Sequence, residues 1–327
     1  MANRGMRGGA GPAVAGAADW LLLAGLVVLG GSSFMLIRLA LETAPPGIVT
    51  IGRLWVAAIV LYAAMRIKGR RFPSVLVRTN SGLRPHRLWV WMAAVGLVGY
   101  TIPFFIFPWA QQFVPSGLAG VYMAFMPIWT LGLAFVFADD RLTPGKIAGF
   151  VLAAIGVVVL MGPDAIAGIS GASFAAQASL LLATLLYAAS AVMSRRAPPA
   201  RRIVFSAGIV LMGAVFATPG LLLTPIRPED WSLVSMASIV ALGLGPTALA
   251  GVIIIVVIRR AGASFMALAN YISPLYAVIV GAILFGEQLG LPVFIALGFI
   301  FAGVAISQRR APPVAAVLPA VSVQKSN

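Results

Sequence analysis

The chain has 327 residues, 61% of them hydrophobic and only 9% charged, with a mean hydropathy of +1.02. Soluble domains devote about a quarter of their residues to charge, so this composition excludes a soluble globular protein and indicates an integral membrane one. With no cysteine and one histidine, His86, the sequence also excludes disulfides, thiol catalysis and metal sites built from Cys or clustered His.

Taken in chain order, residues 1–19 read as a cytoplasmic N-terminal segment rich in Gly and Ala, with Arg4 and Arg7. The apolar run after Trp20 is too long for a signal-peptide core and about right for an uncleaved first span. Apolar windows then recur near 20–41, 48–65, 88–110, 117–138, 145–161, 174–193, 203–223, 232–258, 264–285 and 291–307. They are apolar on every side, which fits helices and not the alternating strands of a barrel. The expected fold is therefore all-α and integral to the membrane, with ten transmembrane helices. His86 falls in the loop after span 2 and is expected to be solvated. Residues 309–327 read as a cytoplasmic tail, of which 311–327 is too short and too broken by proline to span.

The net charge of +15 would point to nucleic acid in a soluble chain, but here its placement decides otherwise. With the N-terminus inside, 20 of the 23 basic residues fall in cytoplasmic loops or termini. They cluster after spans 2, 4, 6 and 8, as at Arg70, Arg71, Arg195, Arg196, Arg259 and Arg260. The opposite loops hold only Arg227. This is the positive-inside pattern. It predicts a multi-pass protein of the cytoplasmic (inner) membrane with both termini cytoplasmic, and no nucleic-acid partner.

The sequence also repeats itself. A shift of 147 residues lays Pro127 on Pro274, Asp140 on Glu287, Leu142 on Leu289 and Gly156 on Gly303 without a gap. A shift of 153 lays Pro45-Pro46 on Pro198-Pro199. Residues 20–162 and 174–308 are thus two five-helix units, and an odd number of spans makes the second enter the membrane inverted. In agreement, Arg141 and Lys146 of the first copy become Gln288 and Val293 in the second. Inverted-repeat carriers place their binding site where matched helices are interrupted. Spans 3 and 8 carry Gly and Pro (Gly96, Gly99, Pro103; Gly243, Gly245, Pro246), and spans 4 and 9 carry Pro127 and Pro274. Gly149, Gly156, Gly298 and Gly303 read as close-packing positions.

Four stretches carry a family resemblance: GSSFMLIRLAL (31–41), PPGIVTIGRLWVAA (45–58), SGLAGVYMAFMPIWTLGLAFVFADDRLT (116–143) and ASFMALANYISPLYAVIVGAILFGEQL (263–289). Together they resemble the EamA-type branch of the drug/metabolite transporter superfamily over residues 20–308. The resemblance implies secondary transport of small metabolites, often export, through a cavity between the halves. The second copy departs from it in having Ser206 and Ala207 near the position matching Arg53.

Two charges lie within spans, Arg38 and Arg53, each costing roughly 2.5–3.5 kcal/mol at the bilayer centre and less towards the ends. With Glu42, four residues after Arg38, they read as a charged outer vestibule or gate. The alternative is snorkelling to headgroups with Glu42 as ion-pair partner. On span 9, Ala267, Asn270, Tyr271 and Pro274 share a helical face that the shift maps onto Gly120, Met123, Ala124 and Pro127. That face is expected to line the pathway, with hydrogen bonds from Asn270 and Tyr271. Tyr100, Pro103, Tyr187, Ser190, Thr247 and Ser33 are further pathway candidates; for each Tyr or Ser the alternative is a bond to a neighbouring helix. No Asp or Glu lies mid-span, which argues against a carboxylate proton relay.

The function expected is alternating-access transport of a small polar or amphipathic, amino-acid-like metabolite, with export implied by the resemblance. The alternative is a lipid-handling protein or lipid-modifying enzyme, for which no constellation of acids or metal ligands is visible. No enzyme activity, cofactor or metal is expected. The partners are a small-molecule substrate and the lipid bilayer, with a homodimer left open.

Overall fold

The computed structural model describes residues 16–79, 82–137, 144–167, 172–224, 227–261, 263–287 and 289–308. The chain is mostly helical. Helices α1 (Ala17–Ala40) and α2 (Pro46–Ile67) come first. A rod then runs through α3 (Arg87–Gly96), a π segment (Leu97–Thr101) and α4 (Ile102–Ala110). Next is a rod of α5 (Ser116–Tyr122), a 3-10 turn (Met123–Phe125) and α6 (Met126–Phe137). Helices α7 (Pro144–Ala167), α8 (Ala172–Arg196) and α9 (Arg202–Ala217) follow. The last rods are α10 (Leu233–Leu242) with a π segment (Gly243–Leu249) and α11 (Ala250–Ala261), then α12 (Ala263–Phe285) and α13 (Leu291–Gln308).

Among the described residues, seven helices are long and apolar enough to cross a membrane, and Pro144–Leu160 and Leu291–Ile306 are shorter apolar helices. The protein is a multi-pass membrane protein. Outside the helices, the described residues hold one short strand pair. Strands β1 (Leu76–Thr79) and β2 (Gly82–Pro85) form an antiparallel pair in the loop after α2. A loop long enough to leave the bilayer must satisfy its backbone groups with water or with itself, and Val75-Leu76-Val77 favours strand. His86 is also more than a solvated residue, because its Nδ1 accepts from the Leu88 N–H at 3.1 Å and caps α3.

Local chemistry explains the breaks. Pro45 is extended and Pro46 opens α2, where the missing N–H costs nothing. Inside the membrane a proline leaves the carbonyl four residues back without its helical donor and crowds it, and a wider turn relieves the clash. Pro103 follows one π segment and Pro246 lies within the other. Threonine hydroxyls cover carbonyls there: Thr247 donates to the Leu242 carbonyl at 2.8 Å, and Thr101 donates to that of Gly213 at 3.0 Å. The other expected pair of interruptions is unequal. The 3-10 turn precedes Pro127, whereas α12 runs unbroken through Pro274.

Packing is close where side chains are absent. A Cβ on Gly156 would meet the Ala296 carbonyl at 3.0 Å and Ile300 at 3.1 Å, and a Cβ on Gly303 would meet the Ala153 nitrogen at 3.1 Å. These contacts join α7 to α13. A Cβ on Gly96 would meet the Ile209 carbonyl at 2.5 Å, and one on Gly243 would meet Val56 at 2.6 Å, joining α3 to α9 and the second π segment to α2. Gly298, also expected to pack closely, has nothing within 4 Å of a built Cβ.

Candidate functional site

A cavity of about 340 Å³ lies among six rods. Helix α1 contributes Ser33, Phe34 and Ile37, α2 contributes Arg53, and the α3–α4 rod contributes Gly99, Tyr100, Phe104 and Phe107. Met123 and Met126 come from the broken α5–α6 rod, Tyr187 and Ser190 from α8, and Pro246, Thr247, Ala250, Gly251 and Ile254 from the α10–α11 rod. A second chamber of about 180 Å³ shares the wall formed by Gly30, Phe34, Met123, Pro246, Ala250 and Ile254 and adds Met266, Asn270, Ser273 and Pro274 from α12. Pro127 and Pro274 strip helical donors from the carbonyls of Met123 and Asn270, two residues on these walls.

Arg53 dominates the electrostatics. It is buried, 8% exposed, with its guanidinium carbon 4.1 Å from the centroid of the Phe104 ring and its Nε donating to Thr247 Oγ1 at 2.8 Å. A ring face beneath a desolvated cation contributes about 2 kcal/mol and a hydrogen bond from a charged donor about 1.5–3 kcal/mol, which offset much of the cost of burial. No ion pair forms with Arg53 among the described residues, and no Asp or Glu lines either chamber.

The three charges expected to form one vestibule are separate. Arg38 is exposed and sits 5.5 Å from the Phe285 ring centroid. It makes no ion pair with Glu42, which instead lines a depression of about 500 Å³ at the helix ends with Arg227 and Asp230. Another depression there, about 690 Å³, is lined mainly by apolar side chains such as Phe105, Trp109 and Leu223. Both depressions exceed the central cavity in volume, but neither holds a buried charge.

Of the expected pathway residues, Ser33, Tyr100, Met123, Tyr187, Ser190 and Thr247 line the cavity, and Asn270 and Pro274 line the adjoining chamber. Tyr271 does not: its ring meets Phe301 of α13 edge-on at 5.9 Å, because a residue next to Asn270 is turned by about 100° around an α-helix. Pro103 and Pro127 line neither chamber and stand just after the π segment and the 3-10 turn whose residues do. Phe104 and Ser273 belong to the site and were not singled out from the sequence. Phe104 was readable, because Tyr100, Phe104 and Phe107 follow the i, i+4, i+7 spacing of one helical face.

The two ends of the bundle are tied differently. At one end Glu287 closes on the start of α5: Oε1 accepts from the Ser116 N–H at 2.8 Å and from its hydroxyl at 2.7 Å, and Oε2 accepts from the Gly117 N–H at 2.8 Å. A carboxylate at a helix N-terminus satisfies orphan donors and is stabilised by the positive end of the helix dipole. Thr43 donates to Ser235 Oγ at 2.9 Å, and Ser235 donates to the Leu39 carbonyl at 3.1 Å, at the junction of α1 and α10. At the other end Arg260 pairs with Asp19 at 2.6 Å, joining α11 to α1. The matching acid in the first copy, Asp140, lies outside the described residues, as do Asp139 and Arg141. Among the described residues no three His, Asp or Glu come together as a metal group.

Comparison with known proteins agrees with this architecture. The model of the EamA-like transporter family matches residues 18–162 and again 174–308. An "Uncharacterized transporter" of Archaeoglobus fulgidus is 24% identical over 89% of this chain and 99% of its own length. The "Uncharacterized inner membrane transporter YedA" of Escherichia coli is 27% identical, covering 84% of this chain and 85% of YedA. A "Probable terminal-alkyne amino-acid exporter" of Streptantibioticus cattleyicolor is 27% identical over 83% of this chain and 86% of its own. A crystal structure with 19% identity superposes with a TM-score of 0.59, over 89% of this chain and 97% of the other, and shares the fold. Matched twice and along nearly its whole length, the chain belongs to the EamA-like transporter family.

Proposed function

We propose that the chain is a secondary carrier that moves a small amphipathic, amino-acid-like metabolite out of the cytoplasm by alternating access. In this reading ten spans form two inverted five-helix halves, both termini are cytoplasmic, and the central cavity is the substrate site. The observation that carries the proposal is the pairing of cavity residues under the sequence shifts. Gly99 and Pro246, Tyr100 and Thr247, Phe104 and Gly251, and Phe107 and Ile254 are each 147 apart, and all eight line the cavity. Phe34 and Tyr187, and Ile37 and Ser190, are 153 apart and line it too. A cavity walled by equivalent positions of both halves lies on their axis of exchange, where a site must sit to be offered to each side in turn.

Helix contacts support the inverted halves as well. Gly156 lies against Ala296 and Ile300, and Gly303 against Gly149 and Ala153, which is the same contact with the partners exchanged by 147. With this topology the Glu287 cap closes the outer end and the chamber with Met266 extends towards the cytoplasm, so the conformation described faces inward. Export of an amino-acid-like solute is supported by the name of the Streptantibioticus relative. The test is flux in proteoliposomes over a broad metabolite panel. Saturable transport above that of empty vesicles is expected for some member, and none for any member removes the proposal.

A further inference from the structure

The sequence offers no mid-span acid, and the folded cavity turns that absence into a statement about the solute. Arg53 places a full positive charge on the wall of a chamber whose other polar side chains are the neutral hydroxyls of Ser33, Tyr100, Tyr187, Ser190 and Thr247. Its Nε is engaged by Thr247 and its flat face is covered by Phe104. What remains is the end of the guanidinium, whose two terminal nitrogens have no protein acceptor among the described residues. A planar fork of this kind matches a carboxylate, with two parallel charge-assisted hydrogen bonds. Taking a cation out of water without an anion is strongly unfavourable, and a hydroxyl and a ring face return only part of that cost. An occupant bearing one negative charge supplies the rest.

Another part of the lining is apolar. Phe34, Met123, Ala250 and Ile254 form the wall common to the two chambers. Neither chamber has an acidic side chain to receive an organic cation, and the field of Arg53 repels one. One arginine also balances one charge, which favours a monocarboxylate over a phosphate dianion.

We infer that the cavity holds its substrate by a carboxylate docked on the terminal nitrogens of Arg53, with an apolar body lying against Phe34, Met123 and Ile254. This rests on the reading of the cavity as the substrate site. It excludes net cations as cargo and makes Thr247 a positioning residue that holds the guanidinium edge-on to the chamber.

The experiment reads binding on the purified full-length protein as a shift of its thermal midpoint. The probes share one body and differ in one group: 4-phenylbutyrate, 4-phenylbutyramide and 4-phenylbutylamine. The carboxylate is expected to stabilise the protein with an apparent affinity at least tenfold above that of the amide, and the amine not to stabilise it. Arg53→Gln should abolish the response and Arg53→Lys should retain a weakened one. An equal response to amide or amine, no response to the carboxylate, or an unchanged response in Arg53→Gln overturns the inference. The probe series on the unaltered chain decides the matter even if Arg53→Gln fails to fold. Because this is binding and not flux, carboxylate-selective binding without transport in vesicles would remove the carrier proposal alone. Transport with no preference for carboxylates would remove this inference alone.

Discussion

The face between α7 and α13 and the wall of the central cavity draw on the same two copies of sequence, and they use the repeat in opposite ways. At the α7–α13 face the copies are alike: glycine matches glycine at 156 and 303, and each meets the other helix at equivalent places. In the cavity the equivalent positions differ. Arg53 has Ser206 as its counterpart, Asn270 has Met123, Thr247 has Tyr100 and Ser190 has Ile37. Likeness suits a scaffold, because self-complementary contacts need the same small residue on both sides. Unlikeness suits a site, because one solute needs one charged pole and one apolar pole.

The largest effect expected tests the scaffold half of this comparison. Gly303→Leu forces a side chain into backbone on α7 and should destabilise the protein by about 1–3 kcal/mol or more, read as loss of folded protein on size exclusion and a lowered thermal midpoint. Gly298→Ala on the same helix has open space before it and should be silent. Equal damage from both would mean that the α7–α13 contact is not what those glycines serve.

Next in size is the cap on α5. Glu287→Ala removes the acceptor of three hydrogen bonds and, by the usual value of a helix N-terminal cap, should cost about 0.5–2 kcal/mol. Glu287→Gln should cost less, because an amide oxygen can still accept at one position. Thermal denaturation of the two variants side by side measures the difference. An unchanged midpoint in Glu287→Ala would show that the cap does not hold that end of the bundle.

In the cavity, Thr247→Val removes the oxygen that accepts from Arg53 and uncovers the Leu242 carbonyl. A hydrogen bond of about 1.5 kcal/mol corresponds to roughly tenfold weaker half-saturation for a transported carboxylate. Smallest of all is Arg38→Gln. An exposed arginine over Phe285 should leave flux within about twofold, since surface substitutions usually stay within about 0.5 kcal/mol, and vesicle uptake assays would register a larger loss as evidence for a second charged site.

These contrasts also show what could be read from the residues alone. Apolar windows and basic loops located the helices, because the bilayer penalises every unpaired backbone group and every buried charge. Asn270 and Thr247 stood out as polar groups in apolar runs, and both lie on the chamber walls. Arg38 and Arg53 could not be told apart from sequence: the ring that receives Arg53 comes from a different rod, and its distance from Glu42 depends on which way α2 is rotated. Tyr271 parts from Asn270 for a related reason, since about 100° of helical turn sends neighbours of equal polarity to different surfaces. The β1–β2 pair was hidden among arginines, where charge marks a loop but not its pairing.

The account depends most on the two halves lying in opposite senses, and the loops that follow α2 and α9 test this directly. The chain lacks cysteine, so Lys68→Cys and Arg227→Cys each introduce a single thiol at an exposed position. In intact cells a membrane-impermeant maleimide should label the thiol at 227 and reach the one at 68 only after the membrane is opened. Labelling of both from the outside, or of neither until lysis, would contradict the inverted arrangement and the alternating-access carrier built on it.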